Sequence, residues 1–530
     1  MASGHARVKY ALDFDGRIVF ALVRGNLNDR IVHTTVEEFE PEPAAALPPY
    51  KYYFGSPLKA LPGQPAIDAL AMAMMDPARP EGGDSEIPAG YTYLGQFLFH
   101  DISWLRVEGN EKANHASSAL DLDSVLGRNL IAGEPSTGCP LVLGPLRAGL
   151  TANGWAGEQP RPDDLPRKPR CGAVTSDDSN PAGFPLIPDR RNEGFLQLAQ
   201  LHLLFIKFYN AVANSFGFGT AGFDETSAKR SFIQHVQAIA LYDFLPRVID
   251  PDVYNDIIGS GSRRAIRPEG ITPTTPYLIP LEFAAAAGRY GHSMIRADYD
   301  WNLDHQQATA ASLEELLEQT YQNARPGSAK LQKLPYDWVV AWRRLFDLRP
   351  LLGTAAGAPG MAKKIDTHLT AFLSMLPEYI REVPAGVTPP PPNATFNLAR
   401  ETLSRQIQFQ MASAQQIIQR INTIAGATIV TELTPAEWNA GNDPAIDTAL
   451  SAHPELTTAT PIWFYILKEA ERRGVCGRLG PLGSRLVMET LHAAIEASAV
   501  SILRVENWSP ALPRLHADRF TMPDLIAFST

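Results

Sequence analysis

Gln96 and His100 stand four residues apart in the segment Tyr93-Leu-Gly-Gln-Phe-Leu-Phe-His-Asp101. On a helix that spacing puts an amide and an imidazole on one face, with Asp101 pointing elsewhere. An imidazole is suited to taking and returning a proton near neutral pH. The commoner use of such a pair is a hydrogen-bonded patch in a core or on a surface. Asp121 and Asp123, with Ser117 and the loop carbonyls around them, offer the hard oxygen donors that calcium takes; solvated turn acids would look the same. Asp189-Arg190-Arg191 opens a long apolar helical run. Its arginine can stabilise negative charge over a pocket or simply cap the helix. Between Pro280 and Ile295, four alanines and two glycines lead to His292. Small residues let a flat, bulky group approach the backbone, and an imidazole beside a planar cofactor is one reading; a buried, hydrogen-bonded histidine is the other. Arg405 can pair with a carboxylate of the protein or of a bound group.

Elements must hold these groups in place. Apolar spacing predicts helices over Ala66–Met75, Tyr91–Val107, Glu193–Phe216, Ser227–Leu245, Leu281–Met294, Leu313–Tyr321, Lys364–Phe372, Asn397–Ile424, Pro435–Leu450, Pro461–Arg473 and Arg485–Ser501. Thr521 with Asp524 three residues on is a further helix start. Val8–Thr35 reads as a β-hairpin or an arm, and 36–62 as a proline-rich extended stretch. Gly82–Gly90 and 108–190 read as loops, with a short strand or turn near Leu120–Leu126. The expected fold is mainly α, with little β: an arm over 1–60, then one large helical domain over 61–530.

Composition narrows the functions. The formal net charge is -10 with mixed signs, which argues against a nucleic-acid or anionic-membrane binder. Cys139, Cys171 and Cys476 are too scattered for a disulfide framework or a zinc site. Met1–Leu12 lacks the apolar core of a signal peptide, and no apolar run reaches membrane-spanning length. The expectation is a soluble cytoplasmic protein; oligomeric state is not legible.

Taken in order, these segments resemble the animal haem peroxidases of the peroxidase–cyclooxygenase superfamily, most closely its bacterial members. The resemblance runs from about residue 60 to the tail Phe520–Phe528. It implies the following roles. Gln96 and His100 are the distal glutamine and histidine, Arg191 is the distal arginine, and His292 is the proximal iron ligand within Arg289-Tyr-Gly-His292. Arg289 and Arg405 hold haem propionates. Asp101, Ser117, the Ala119 carbonyl, Asp121 and Asp123 bind a structural calcium.

The departures from the family pattern carry their own expectations. Phe99 stands where members that esterify their haem carry an aspartate, and Gly194 where they carry a glutamate, with Glu193 one place away. Phe195 replaces the methionine that some members bond to a vinyl group. The resemblance therefore implies non-covalent haem b. Thr402 replaces the asparagine that accepts the proximal histidine N–H. Arg289 occupies the position of the radical tyrosine of cyclooxygenases and fatty-acid α-dioxygenases, three residues before His292. The implied activity is reduction of hydrogen peroxide or an organic hydroperoxide with oxidation of a small organic substrate, and little chloride oxidation. A peroxygenase or dioxygenase acting on a lipid or secondary metabolite would instead carry oxygen-18 into product. A haem-binding protein without turnover would be indifferent to loss of His100.

Overall fold

The computed structural model describes residues 50–78, 82–108, 111–127, 164–166, 185, 187–218, 220–259, 265–266, 271, 277–320, 334–377, 395–439 and 443–529, with the backbone of 6–12 and 18–24. Helices dominate, and the strands pair only in twos. The fold is mainly α, as the sequence reading anticipates. Strands β1 (Ala6–Leu12) and β2 (Ile18–Arg24) form an antiparallel hairpin. Among the described residues no helix is long and apolar enough to cross a membrane.

Helix α1 covers Gln64–Ala73. Strand β3 (Asp84–Pro88) follows, in a stretch whose glycines and acids suggested a loop; it pairs with β6 (Met361–Lys363) through an irregular register. The central helix, α2, runs Gly90–Ile102. It starts at a glycine for steric reasons: a Cβ at Gly90 would lie 2.5 Å from the Phe346 ring and 2.8 Å from the Leu345 carbonyl. It ends five residues before the expected Val107, because Ser103 turns extended and Leu105–Glu108 becomes β4, paired with β5 (Glu111–Asn114). The Asn114 side chain accepts from Trp104 N and Ala116 N and donates to the Ile102 carbonyl, which fixes that turn. The short helix α3 (Asp123–Leu126) replaces the expected strand or turn.

After a 3-10 turn at Arg190–Glu193 comes α4 (Leu196–Ser215), buried along most of its length and packed on α2. Helix α5 (Glu225–Ile239) lies against α4 and continues through a π-helical turn at Ala240–Phe244. The expected Leu281–Met294 helix is two pieces. Helix α6 (Leu281–Ala285) breaks at Ala286 (φ -136, ψ -73), and Ala287–Met294 winds on as a tight 3-10 segment that carries His292.

Two other predicted helices divide. Asn397–Ile424 splits into α7 (Leu398–Gln408) and α8 (Ala414–Ala425), with Gln410 between them at positive φ. The 435–450 stretch splits before Pro444, whose ring disfavours helix in the residue ahead of it. The Lys364–Phe372 helix does not form. There, polar side chains take backbone and neighbouring groups instead: Asp366 Oδ1 accepts from His368 N, Thr370 Oγ1 donates to the Ile295 carbonyl, and Ser293 Oγ donates to the Asp366 carbonyl. The result is a brace against the segment holding His292. Helices α9 (Ile462–Arg473) and α10 (Pro481–Ala497) pack on the same segment, and α11 (Met522–Ser529) closes against α4. The foreseen start of α11 is present: Asp524 Oδ2 accepts from both N and Oγ1 of Thr521.

Candidate active site

Helix α2 presents Gln96 and His100 on one face, both partly accessible within an otherwise buried helix. Nδ1 of His100 lies 2.8 Å from Oδ1 of Asn192. Among the described residues no group bonds its Nε2, and the side chain keeps accessible surface. Burial, and secondarily the nearby Arg191, push the His100 pKa down to about 4. His100 is therefore neutral at ordinary pH, the state a base requires. Gln96 makes no hydrogen bond to the described protein, so its amide is available to a ligand or water.

Arg191 does reach His100, but as a clamp as much as a charge. Its Nη2 donates to the His100 carbonyl at 2.8 Å and its Nη1 to the Ser103 carbonyl at 2.9 Å. These are carbonyls at the C-terminal end of α2 that the helix itself leaves open. Asp189 holds the guanidinium through Nε at 2.9 Å and Nη2 at 2.5 Å, and also accepts Arg191 N. The Trp104 ring lies 4.5 Å from the guanidinium carbon. Burial alone would raise the Asp189 pKa; Arg191 more than offsets this, so the carboxylate stays ionised.

Opposite α2 stands the 287–294 segment. Phe99 joins the two, with its ring edge-on to Phe283 (5.1 Å) and Tyr290 (6.1 Å). Phe99 is thus core, with no ester-forming group at that position. Gly194 closes the 3-10 turn beside Arg191, and Glu193 is fully buried. Burial first, then Arg289 and Arg405, push the His292 pKa down to about 3. The Trp463 ring meets the His292 ring edge-on at 6.0 Å, and its Nε1 donates to the Arg289 carbonyl. A Cβ at Gly291, next to His292, would touch nothing within 4 Å. Among the described residues nothing bonds Nδ1 of His292, which is buried. Thr402 does not supply a partner; its Oγ1 donates to the Leu398 carbonyl in its own helix.

Arg289 is the electrostatic anomaly. Its Nε donates to the Ala284 carbonyl. Burial, then the neighbouring Arg405 and Arg191, depress its pKa well below normal, which reports concentrated positive charge. The same three arginines act on the Tyr50 hydroxyl, which bonds Ser103 Oγ and Asn114 Oδ1. Partly buried cations gathered in this way favour an anionic ligand beside Arg289. A haem brings two carboxylates and takes an imidazole ligand; Arg289 and Arg405, His292 and the open space beside Gly291 fit that group.

The expected calcium donors are less gathered. Asp101 Oδ2 accepts from Leu122 N, while its Oδ1 accepts from Ser124 N and Oγ, tying α2 to α3. Burial, then the nearby Asp123, raise the Asp101 pKa to about 8. Ser117 Oγ bonds the Ala119 carbonyl at 3.1 Å. Asp121 is turned toward Ser498 and Arg504, and its Oδ1 is buried without a partner. Among the described residues no three acid, histidine or cysteine side chains converge as a metal cage. Crowded carboxylates and an orphaned carboxylate oxygen still fit a hard cation.

Sequence reasoning missed Asn192, His202, Trp463 and Tyr50. Asn192 directly follows Arg191, a signal that could have been followed. The others reach the site from distant segments. Cys139 and Cys171 lie outside the described residues, as do most of the loops over 108–190 and 380–395; Cys476 is a free thiol.

Helix α2, which carries Gln96 and His100, packs against the 287–294 segment that carries His292. Similar structures include peroxidase A from Dictyostelium discoideum, with a TM-score of 0.55 and 13% identity, covering 91% of this chain and 93% of that one. The fatty acid alpha-dioxygenase of Oryza sativa gives 0.52 and 13%, covering 91% and 79%. No curated protein matches the chain. Residues 93–334, which include His100, Arg191 and His292, match the family model described as animal haem peroxidase. Arg405 and Trp463 lie beyond the matched residues and reach the site through the fold.

Proposed function

We propose that the protein is a haem b peroxidase that reduces hydrogen peroxide or an organic hydroperoxide while oxidising a small organic donor. The observation that carries this reading is a neutral histidine, His100, held through Nδ1 on the helix that packs against the segment carrying a second histidine, His292, beside Arg289. A haem bound there would supply the iron that activates peroxide and the electrons that pass to and from it. His292 would be its ligand, and Arg289 and Arg405 would receive its propionates. His100 Nε2 takes the proton of bound peroxide and returns it to the departing oxygen, base then acid. Arg191, a fixed cation behind His100, favours the charge that develops there, and Gln96 positions a water or the peroxide.

Phe99 and Gly194 provide no ester-forming side chain, which supports non-covalent haem and a preference for organic donors over chloride. Arg289 three residues before His292 favours peroxidase over dioxygenase chemistry, where the resemblance would call for a tyrosine. Calcium at Asp101, Ser117, Ala119, Asp121 and Asp123 would tie α2 to its loop. Residues 61–530 form the proposed domain. The 1–60 arm is bonded to it near its end: Tyr53 N and Phe54 N donate to Glu282, and Lys51 N donates to the Ile279 carbonyl.

The test is reconstitution of the purified chain with haemin, followed by stopped-flow mixing with hydrogen peroxide. The expected result is a Soret band that changes on peroxide addition and a haem that extracts fully into acid–acetone. Absence of a Soret band would defeat the proposal, and oxygen-18 transfer from peroxide into product would redirect it to oxygenation.

A further inference from the structure

Asn192 is fully buried, and its amide lies between two imidazoles. Oδ1 is 2.8 Å from Nδ1 of His100, and Nδ2 is 3.0 Å from Nδ1 of His202. His202, on α4, is itself fully buried and held by the edge-on ring of Phe97 at 5.8 Å, which in turn stacks on Phe205 at 4.3 Å. An amide oxygen only accepts and an amide nitrogen only donates. In this arrangement His100 carries its proton on Nδ1 and presents a bare lone pair at Nε2. His202 accepts at Nδ1 and carries its proton on Nε2. A neutral histidine side chain left to itself favours the opposite tautomer, with the proton on Nε2. In that form His100 would direct an N–H at the site, where a base is needed.

We infer that Asn192 is a positioning residue that sets the tautomer of His100, with His202 as the anchor that holds the amide between the two rings. The ring nitrogen that faces a reactant is governed by the bond made at the other one, and here that bond comes from a buried amide on the residue after Arg191. A single 3-10 turn thus delivers two things to the end of α2: the Arg191 clamp on the His100 carbonyl, and the Asn192 acceptor on its ring. The inference deepens the peroxidase reading and depends on it only for what the Nε2 lone pair does. The amide rotated by 180° would satisfy the same two rings and exchange both tautomers, so the two arrangements make opposite predictions.

The experiment is 15N-histidine NMR of the full-length chain before haem is added, with the two resonance pairs assigned through His100→Gln and His202→Gln. The expected wild-type spectrum shows His100 as the Nδ1–H tautomer and His202 as Nε2–H. In Asn192→Asp the carboxylate accepts from both rings: His100 keeps Nδ1–H, His202 changes to it, and the reaction of the haem-loaded protein with peroxide stays within a few-fold of wild type. In Asn192→Leu the Nε2–H form of His100 takes over. The peroxide rate constant then falls by roughly tenfold or more, a fraction of what a positioned base contributes, with haem binding unchanged. A wild-type His100 found as Nε2–H would overturn the inference, even if no variant folds. So would an Asn192→Leu protein with wild-type tautomer and rate. If His100 is Nδ1–H and responds to Asn192→Leu while the loaded wild type ignores peroxide, the tautomer assignment stands and the peroxidase reading falls.

Discussion

Replacing Arg289 with methionine should move two quantities in opposite directions. Burial depresses the Arg289 pKa first, then Arg405 and Arg191, with the Tyr50 hydroxyl opposing them and no carboxylate doing so. In the haem-free protein that arrangement is costly, since an uncompensated buried ion loses several kcal/mol of hydration. Its one compensating bond, Nε to the Ala284 carbonyl at 3.2 Å, returns on the order of 1.5–3 kcal/mol. Methionine keeps most of the apolar stem and removes both contributions, so the haem-free chain should gain about 1–3 kcal/mol. With haem bound the balance reverses, because the guanidinium then meets a propionate. Losing a charge-assisted bond of about 1.5–3 kcal/mol weakens haem by roughly 10- to 150-fold, at 1.4 kcal/mol per factor of ten. Urea unfolding of the haem-free proteins gives the first quantity, and haemin titration by absorbance the second. A variant that is less stable without haem and binds haem as well as wild type would refute the reasoning, since Arg289 would then be a structural cation and the cluster no anion site.

Other consequences follow from the same geometry. His100→Gln should lower the rate of reaction with peroxide by about 10²–10⁴-fold while haemin titration gives a wild-type affinity; a loss under threefold would remove His100 from the proton path. Calcium at a hundred times its dissociation constant should stabilise the chain by about 2.7 kcal/mol, seen as a chelator-reversible rise in Tm that is absent in Asp123→Asn. A Tm indifferent to calcium would leave the bonds from Leu122 and Ser124 to Asp101 as the sole tie. Acid should unfold the protein partly through His235, whose Nδ1 bonds the Ser231 carbonyl and whose Nε2 accepts from Ala511 N and Leu512 N. Burial, with Arg514 adding to it, lowers its pKa to about 4, so the unfolded chain binds this proton more readily. The stability it contributes is complete above about pH 6.5 and is lost as pH falls toward 4, on the order of 3 kcal/mol in all. His235→Phe should flatten that limb in urea titrations between pH 7 and 4, and an unchanged slope would contradict the assignment.

The positions that sequence patterning read well are those where local chemistry and fold agree. Gln96 and His100 share a face because α2 is a regular helix there, and Thr521 with Asp524 starts α11 because a capping box is a local device. It failed where side chains compete with the backbone or small residues permit a tighter winding. Asp366, through its backbone, and Thr367 and Thr370, through their side chains, bond across segments to Ser293, Glu471 and Ile295, which competes with helix over 364–372. Ala286 and the glycines around Arg289 let the His292 segment wind as a 3-10 turn, which the alanine-rich pattern concealed. The partners of the site residues were out of reach for a different reason. Arg191 finds His100 across 91 positions of chain and Trp463 finds Arg289 across 174, and no periodicity encodes such contacts.

Arg191 shows how much one assembled contact changes a role. A guanidinium has five N–H groups, and the bonds to Asp189, His100 and Ser103 engage Nε, both hydrogens of Nη2 and one of Nη1. One Nη1 hydrogen is left over. The residue therefore cannot hold peroxide in the bidentate manner in which arginine grips a carboxylate. Its contribution to chemistry is its charge, fixed by Asp189 and by the face of Trp104, together with the placement of the last turn of α2. Arg191→Lys keeps the charge but cannot span Asp189 and two carbonyls at once. It should cost stability and peroxide reactivity together, whereas a residue acting only on peroxide would leave the unfolding midpoint where it was.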